Sequence, residues 1–317
     1  MSFRILGTGS YVPPRAVTND DLAQLVETSD EWIKQRVGIA QRHVCTTETT
    51  GEMAYYAAEK ALADANVKPE ELDLIICATV SNDMQCPTAA GYTQMKLGAK
   101  CPAFDINSAC SGFIFALETA AAYFAKGGCE KILVVGAEMM SRIIDWTDRN
   151  TCVIFGDGAG AAVLGKGNGF LASKISTYGG DDVIDIPNTI GKSPFYEGEE
   201  RHHFVHMKGQ ETFKFAVGAM TRDVTEVIEK AGLTTDEVDW IVPHQANIRI
   251  IQFAAKKLKM PPEKFFVNIE KYGNTSAASV PMALDELRRS GRLHENDIRV
   301  LTAFGGGLSS AACVIRA

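Results

Sequence analysis

An internal repeat is the feature of this sequence that most constrains its fold. Residues 71–79 (Glu-Leu-Asp-Leu-Ile-Ile-Cys-Ala-Thr) resemble residues 237–245 (Glu-Val-Asp-Trp-Ile-Val-Pro-His-Gln) in the second half of the chain. Each run has a β-branched bias and follows a helix-forming stretch, at about 51–65 in the first half and 213–231 in the second. The sequence therefore predicts a helix, a polar turn and an apolar strand, made twice.

The same order of elements continues in both halves. Short strands are predicted at 102–106 and 265–269, each followed by a turn of small residues and then a helix. We therefore predict an α/β fold of two similar units in tandem, with bounds at 1–170 and 171–317. Alternating strands and helices favour mostly parallel sheets covered by helices, with functional groups at the strand ends between the halves.

Composition and charge narrow the class of protein. The 317 residues are 46% hydrophobic and carry a formal net charge of −7, which argues against a nucleic-acid binder. The eight cysteines contain no Cys-x-x-Cys pair and most lie in apolar segments, so neither a disulfide framework nor a metal site is expected. Apolar runs are too short to span a bilayer, and we expect a cytoplasmic protein.

Three irregular segments call for separate interpretations. The run at 156–160 (Gly-Asp-Gly-Ala-Gly) fits neither nucleotide-binding glycine pattern, so it is expected to pack backbone closely. The run at 305–307 is able to bring a backbone N–H near a reacting carbonyl, as oxyanion binding requires. Residues 180–206, with scattered charge and two prolines, are predicted to form a long excursion near a binding cleft.

Cys110 is the thiol whose position suggests chemistry. It lies at the turn between a predicted strand and a helix, beginning near Ser111, that is apolar nearly all round. Unpaired N–H groups and the positive dipole end at a helix N-terminus favour the thiolate, the nucleophilic form of cysteine. The alternative, a small buried apolar side chain, remains open at this point.

His244 and Asn274 are the candidate partners of this thiol. His244 follows the second-half strand, where functional groups collect, although a structural, hydrogen-bonded imidazole would also fit this position. Asn274 lies in the turn that corresponds to the Cys110 turn, so it is expected to approach Cys110 from the other half. Taken alone, Asn274 could equally be a turn or helix-capping residue.

Four motifs together resemble the β-ketoacyl-acyl carrier protein synthase III family. They are Asn107-Ser-Ala-Cys110-Ser-Gly-Phe, Pro243-His244-Gln-Ala-Asn247, Gly273-Asn274-Thr-Ser and Phe304-Gly-Gly-Gly. The resemblance spans the chain and includes the segments at 28–39 and 155–160. It implies a thiolase-like fold, with two duplicated halves packed as an α-β-α-β-α sandwich, and a homodimer.

The resemblance also implies a mechanism. Cys110, His244 and Asn274 would form the catalytic triad, and Cys110 would accept an acyl group from acyl-CoA. Malonyl-acyl carrier protein would then lose carbon dioxide, and the enolate, stabilised by His244 and Asn274, would attack the acyl group. Backbone N–H groups of Cys110 and Gly306 would form the oxyanion hole. No cofactor is implied, because acyl-CoA is a substrate and carrier-bound phosphopantetheine delivers the malonyl group.

Further binding residues follow from the same resemblance. The residues expected to bind CoA, by stacking on adenine, meeting phosphates or lining the pantetheine tunnel, are Trp32, Arg36, Arg149, Gly209 and Asn247. Those expected to form a basic surface for the acidic carrier protein are Lys214, Arg249, Lys256 and Lys257. Phe155 and Cys86 are expected in the acyl pocket, with Cys86 reaching into the partner subunit.

Two departures from the family pattern bear on substrate choice. Cys86 stands where short-chain enzymes often have a large aromatic side chain, which favours a longer or branched primer. Val37 stands where a hydroxyl residue often lies beside the adenine, so a hydroxyl contact is not expected at this position. The competing interpretations are a related condensing enzyme of a specialised polyketide or quinolone pathway and a non-catalytic acyl-CoA binding module.

Overall fold

The computed structural model describes residues 2–186, 194–195, 197–198 and 203–317. Its strands are β1 (Ser2–Tyr11), β2 (Arg15–Thr18), β3 (Gln41–Val44), β4 (Leu74–Ala78), β5 (Ala103–Ile106), β6 (Lys131–Glu138), β7 (Gly158–Gly167), β8 (Phe170–Thr177), β9 (Ile184–Asp185), β10 (His206–Met207), β11 (Trp240–Pro243), β12 (Ile298–Gly305) and β13 (Ser309–Arg316). Its α-helices are α1 (Asn19–Leu22), α2 (Asp30–Val37), α3 (Thr50–Ala65), α4 (Ala89–Leu97), α5 (Gly112–Lys126), α6 (Arg149–Cys152), α7 (Gly209–Lys230), α8 (Ile248–Leu258), α9 (Ile269–Tyr272) and α10 (Ser279–Arg289).

The two large sheets repeat one strand order. The first sheet runs β1-β7-β6-β4-β5 and the second runs β8-β13-β12-β11. In the first sheet β4 is parallel to both of its neighbours, whereas β7 is antiparallel to both of its own. The second sheet contains one parallel pair, β11 with β12, and two antiparallel pairs. The expectation of mostly parallel sheets is therefore wrong, because the last two strands of each half form antiparallel pairs.

The predicted strand at 265–269 does not form. Phe265 makes one isolated parallel bridge to Ile241, and α9 begins at Ile269. A short 3-10 helix, Pro262–Lys264, precedes the bridge. Since the chain leaves the extended conformation after one pairing, the second sheet lacks the edge strand that β5 supplies to the first.

Helices and sheets alternate in five layers. Helices α3 and α4 cover the outer face of the first sheet, α5 and α10 lie between the two sheets, and α7 and α8 cover the outer face of the second. The central strands are apolar on both faces: in β6, Ile132 and Val134 face the middle layer, while Leu133 and Val135 face the outer one.

Helix α3 illustrates how local sequence sets an outer layer. Thr49 caps its N-terminus by accepting from the Glu52 N–H, and the Glu52 side chain accepts from the Thr49 N–H in return. Its alanines recur at helical spacing on the face that packs against the first sheet. The helix ends at Asn66, which adopts the left-handed conformation with φ of 51°.

The excursion predicted at 180–206 lies partly outside the described residues, since 187–193, 196 and 199–202 are not among them. Its described ends form the short β9–β10 pair. The chain passes from the first sheet to the second between β7 and β8, and the division into units at residue 170 stays a prediction. Within the described ranges, no helix is long and apolar enough to cross a membrane.

Candidate active site

A cavity of about 410 Å³ brings together the three residues predicted to do chemistry. Cys110, His244 and Asn274 all line it. Predicted binding residues that also line it are Phe155, Gly209, Asn247 and Gly306. Much of the remaining wall is apolar and comprises Met140, Ile154, Ile184, Ile186, Val205, Met207, Phe213, Ile250 and Phe304. The cavity is suited to a thioester with a hydrocarbon chain, because a mostly apolar wall is combined with a small set of polar groups.

Cys110 lies in a 3-10 turn, Ala109–Ser111, that joins β5 to α5. Ala109 adopts a left-handed conformation with φ of 46°, which an alanine rarely accepts and which turns the chain sharply before the cysteine. Burial raises the pKa of the Cys110 thiol to about 12, although a hydrogen bond with the Ser276 side chain lowers it. Burial therefore opposes the thiolate that the position before a helix N-terminus favours, because desolvation disfavours the charged form.

Gly305 lies directly against the Cys110 backbone. A Cβ atom on Gly305 would lie 2.7 Å from the Cys110 backbone nitrogen and 3.1 Å from its Cβ. A Cβ on Gly306 would meet its nearest neighbour, Ile184 Cγ2, at an ordinary 3.4 Å. The glycine run thus includes one position, Gly305, where only a hydrogen fits beside the nucleophile.

His244 is buried, with 1% of its surface exposed. Its backbone N–H donates to the Thr302 carbonyl over 2.7 Å, and its ring packs edge-on against Phe304 with centroids 5.4 Å apart. Burial lowers the pKa of His244 to about 3, so the imidazole is neutral near pH 7. Nδ1 is buried and has no hydrogen-bond partner among the described residues. A neutral imidazole donates from one nitrogen only.

Asn274 is fixed by both its backbone and its side chain. Its N–H donates to the Ile154 carbonyl over 2.9 Å, and its carbonyl accepts from the Gly156 N–H over 3.0 Å. Its side-chain Oδ1 accepts from the Ser276 N–H over 2.9 Å. Because Oδ1 is the engaged acceptor, the amide orientation is set and the Nδ2 donors are left for the cavity.

The predicted adenine-binding residues form a separate cluster. The guanidinium groups of Arg149 and Arg36 lie 5.1 and 5.7 Å from the centroid of the Trp32 ring. None of the three lines the cavity, but Asn247, which does, donates from Nδ2 to the Arg36 carbonyl over 3.2 Å. Val37, in the same helix α2, is buried in the core.

The predicted basic surface lies beside this cavity. Lys214 on α7 and the α8 residues Arg249, Lys256 and Lys257 are all exposed. The Arg249 guanidinium lies 5.9 Å from the centroid of the Phe213 ring, and Phe213 lines the cavity. Arg249 therefore lies against a residue of the cavity wall.

Cys86 is exposed and does not line the cavity of its own chain. The neighbouring Met84 and Gln85 line a second cavity of about 820 Å³. Both cavities share Ala109 and Gly306 in their walls, so the second one reaches the back of the Cys110 turn.

Sequence reasoning missed two residues behind the nucleophile. Ser276 lines the cavity and its hydroxyl donates to Glu138 Oε1 over 3.0 Å. Glu138 is fully buried at the end of β6. The available signal was a carboxylate directly after the apolar run at 132–137, because a buried charge needs specific partners.

Comparisons with known proteins agree with this geometry. Residues 104–179 match the family described as 3-Oxoacyl-[acyl-carrier-protein (ACP)] synthase III, and residues 228–317 match its C-terminal model. A Clostridium acetobutylicum protein named beta-ketoacyl-[acyl-carrier-protein] synthase III is 48% identical over 320 residues, covering 99% of this chain and 98% of the relative. The chain belongs to the 3-oxoacyl-[acyl-carrier-protein] synthase III family.

Solved structures of the family share the whole fold. The 3-oxoacyl-[acyl-carrier-protein] synthase III of Aquifex aeolicus VF5 is 45% identical with a TM-score of 0.94, covering 99% of this chain and 100% of that one. The priming β-ketosynthase of the R1128 polyketide pathway is 35% identical with a TM-score of 0.93, covering 99% and 96%. The predicted family, the thiolase-like α/β fold and the class of acyl-transferring condensing enzyme are confirmed.

Proposed function

We propose that the chain condenses an acyl-CoA primer with malonyl-acyl carrier protein, releasing CoA and carbon dioxide and forming 3-oxoacyl-acyl carrier protein. The observation that carries this proposal is the shared cavity of Cys110, His244 and Asn274. The relatives are named synthases of beta-ketoacyl-[acyl-carrier-protein], which is the product of this reaction. The reaction would initiate fatty acid synthesis.

The first half-reaction transfers the acyl group to Cys110. The thiol sulfur attacks the thioester carbon, a new S–C bond forms, and the bond to the CoA sulfur breaks. The negative oxygen of the tetrahedral intermediate is held by the backbone N–H groups of Cys110 and Gly306, each donor contributing about 10²- to 10³-fold in rate. Gly305, which packs directly against the Cys110 backbone, precedes Gly306 in the wall of the same cavity.

The second half-reaction makes and uses an enolate. Carbon dioxide leaves the malonyl group, and the negative charge passes to the thioester oxygen. Asn274 donates from Nδ2, which the bond to the Ser276 N–H leaves available. His244 donates from Nε2, and it is a weak base because burial lowers its pKa to about 3. The enolate carbon then attacks the acyl group on Cys110 and the sulfur departs.

Substrate delivery uses the surfaces around the cavity. The Trp32, Arg36 and Arg149 cluster would bind the nucleotide end of CoA, with Gly209 and Asn247 beside the pantetheine chain. The cations Lys214, Arg249, Lys256 and Lys257 would dock the acidic carrier protein, because complementary charge speeds encounter. No cofactor is proposed.

We further propose a homodimer in the cytoplasm. The second cavity beside Cys86 would receive a loop of the partner subunit and complete the acyl pocket there. The exposed Met84 and Phe204 border this cavity and would become buried on association. The absence of a membrane-crossing helix among the described residues is compatible with this location.

The test is intact-protein mass spectrometry of wild type, Cys110→Ser and the control Cys129→Ser, a half-buried cysteine outside the cavity. Acetyl-CoA and longer or branched acyl-CoAs are added first, then malonyl-acyl carrier protein. We expect an acyl adduct on wild type and on Cys129→Ser only, discharged as a ketoacyl carrier protein two carbons longer.

The alternatives give different results in the same experiment. A non-catalytic binding module would form no ketoacyl product after malonyl-acyl carrier protein is added. A specialised condensing enzyme would prefer an unusual primer over acetyl-CoA and its short homologues. No adduct with any primer would overturn the assignment of Cys110 as the nucleophile.

A further inference from the structure

Glu138 is a buried carboxylate that the proposed mechanism does not use. It lies at the end of β6 with none of its surface exposed. Its Oε2 accepts from the Ser81 hydroxyl, from the Val80 N–H over 3.1 Å and from the Thr79 hydroxyl over 3.2 Å. Its Oε1 accepts from the second half of the chain, from the Ser276 hydroxyl and from the Ala277 N–H over 3.4 Å.

The Ser276 hydroxyl connects this carboxylate to the nucleophile. The hydroxyl donates to Glu138 Oε1 over 3.0 Å, and Ser276 and Cys110 line the same cavity. Hydrogen bonding by the Ser276 side chain lowers the pKa of the Cys110 thiol, against the larger effect of burial. Ser276 and Cys110 lie in short 3-10 turns that pack against each other. Each turn contains one residue of positive φ: Ser276 at 49° in the first and Ala109, directly before Cys110, at 46° in the second. A hydroxyl has one proton and two acceptor sites, so it is able to receive a proton on one side while giving one on the other.

Acyl transfer to Cys110 needs a group that accepts the proton of its thiol. The Cys110 thiol is protonated at rest, because burial raises its pKa to about 12. His244 is a weak base, because burial lowers its pKa to about 3. Burial raises the pKa of Glu138 to about 6, against the lowering effect of its hydrogen bonds, so it is ionised at pH 7 and a stronger base than His244.

We propose that Glu138 accepts the Cys110 thiol proton through the Ser276 hydroxyl during acylation and returns it when condensation releases the sulfur. This inference rests on the proposed function. During acylation the thiol proton passes to Ser276 Oγ as the Ser276 proton passes to Glu138 Oε1. The S–C bond to the acyl group forms, CoA leaves as its thiolate, and that thiolate takes a proton from solvent.

The return step closes the balance. The enolate carbon attacks the acyl carbon, the Cys110 S–C bond breaks, and the departing sulfur takes the Ser276 proton while Glu138 gives its own to Ser276. One proton from solvent is thus consumed per turnover, which matches the loss of carbon dioxide from the malonyl carboxylate. The Ser276 hydroxyl reverses its direction between the two steps and ends as it began.

The surroundings of Glu138 contain few other titratable groups. The thiols whose pKa values Glu138 raises are Cys110, on the other side of Ser276, and Cys77 in the neighbouring strand β4. The groups that bond to the carboxylate are hydroxyls and backbone N–H groups, and within the described ranges it forms no ion pair. Hydroxyl groups meet both oxygens of Glu138: Ser276, in the wall of the Cys110 cavity, bonds to Oε1, and Ser81 and Thr79, in the wall of the second cavity, bond to Oε2.

The experiment measures single-turnover acylation by acetyl-CoA between pH 5 and 8, using quenched samples and intact mass. The wild-type rate should fall as the pH drops through about 6, since a protonated Glu138 accepts nothing. Glu138→Gln keeps the shape but cannot titrate, so it should lose about 10²-fold at pH 7 and should lack this acid limb. Ser276→Ala should lower the acylation rate by as much, and combining it with Glu138→Gln should lower the rate no further.

Ser81→Ala is the matched control. It removes a buried hydrogen bond to the same carboxylate, on the oxygen that faces away from Cys110. Because that bond lowers the pKa of Glu138, its loss should move the acid limb to higher pH without abolishing it. If Glu138 has only a structural role, all variants should have a lower melting temperature and the acid limb of the pH–rate profile should stay in place.

The outcomes separate the two proposals. If wild type itself takes no acyl group, the proposed function fails. If wild type is acylated and Glu138→Gln keeps the wild-type acid limb, whatever its rate, the proton route is overturned while the condensing activity stands. If Glu138→Gln does not fold, an unmoved limb in Ser81→Ala overturns the route in the same way, and a shifted limb supports it.

Discussion

Asn274→Asp isolates the enolate donor without disturbing its turn. The aspartate retains an oxygen to accept from the Ser276 N–H at 2.9 Å, and the backbone bonds to Ile154 and Gly156 are untouched. What changes is the group facing the cavity, from an N–H donor to a carboxylate oxygen. Loss of one such donor costs about 10²- to 10³-fold, or about 2.7–4 kcal/mol, and the new negative charge repels the enolate further.

The assay separates the two half-reactions. Decarboxylation is followed as conversion of malonyl- to acetyl-acyl carrier protein without primer, and acyl transfer as the adduct with acetyl-CoA. We expect decarboxylation to fall by at least about 10²-fold at pH 7 while acylation of Cys110 persists. Burial raises the pKa of a carboxyl, and a protonated one donates, so the variant should recover activity as the pH falls.

A second cavity-lining asparagine provides the control. Asn247→Asp introduces the same charge and keeps the helix cap, since Oδ1 accepts from the Arg249 N–H over 2.9 Å. It should alter KM for the thioester substrates more than the rate of decarboxylation. Equal loss of acylation and decarboxylation in Asn274→Asp would refute the assignment of Asn274 to the enolate step.

Three further predictions concern packing, pH and CoA binding. Gly305→Ala, whose Cβ would lie 2.7 Å from the Cys110 nitrogen, should lower the acylation rate by about 10²-fold because it displaces the nucleophile. In the control Gly306→Ala the nearest contact is 3.4 Å, so the acylation rate should be kept. An equal loss of rate in both variants would contradict the steric reasoning. The pKa of His244 is lowered from 6.5 to about 3 on folding, so the unfolded chain binds the extra proton and stability is lost as the pH falls below 6.5. Between pH 7 and pH 5, urea unfolding should show a loss of stability that is about 2 kcal/mol larger for wild type than for His244→Gln, because the slope of about 1.4 kcal/mol per pH unit applies only below pH 6.5. Parallel curves would argue against a buried neutral imidazole. Trp32→Ala should raise KM for acyl-CoA with little change in kcat, because the indole stacks with two guanidinium groups outside the cavity; a lower kcat at unchanged KM, measured by steady-state kinetics, would remove it from the CoA site.

The local sequence pattern was the basis for predicting the fold. The repeat at 71–79 and 237–245 predicted two strands that now occupy corresponding places, β4 and β11, in two sheets of one strand order. It did so because strand and helix periodicities depend on neighbouring residues. It failed at 265–269, where pairing with Ile241 stops after a single bridge.

The sequence by itself determined which groups meet in the cavity, since Cys110 and His244 follow the strands β5 and β11, and Asn274 lies in the turn that corresponds to the Cys110 turn in the repeat. Only the tertiary structure decided their protonation states. The thiol and the imidazole are both neutral because the surrounding layers exclude water, and the degree of burial is a property of the packed whole. The contact between Glu138 and Ser276 likewise required folding, because it joins residues from opposite halves of the chain.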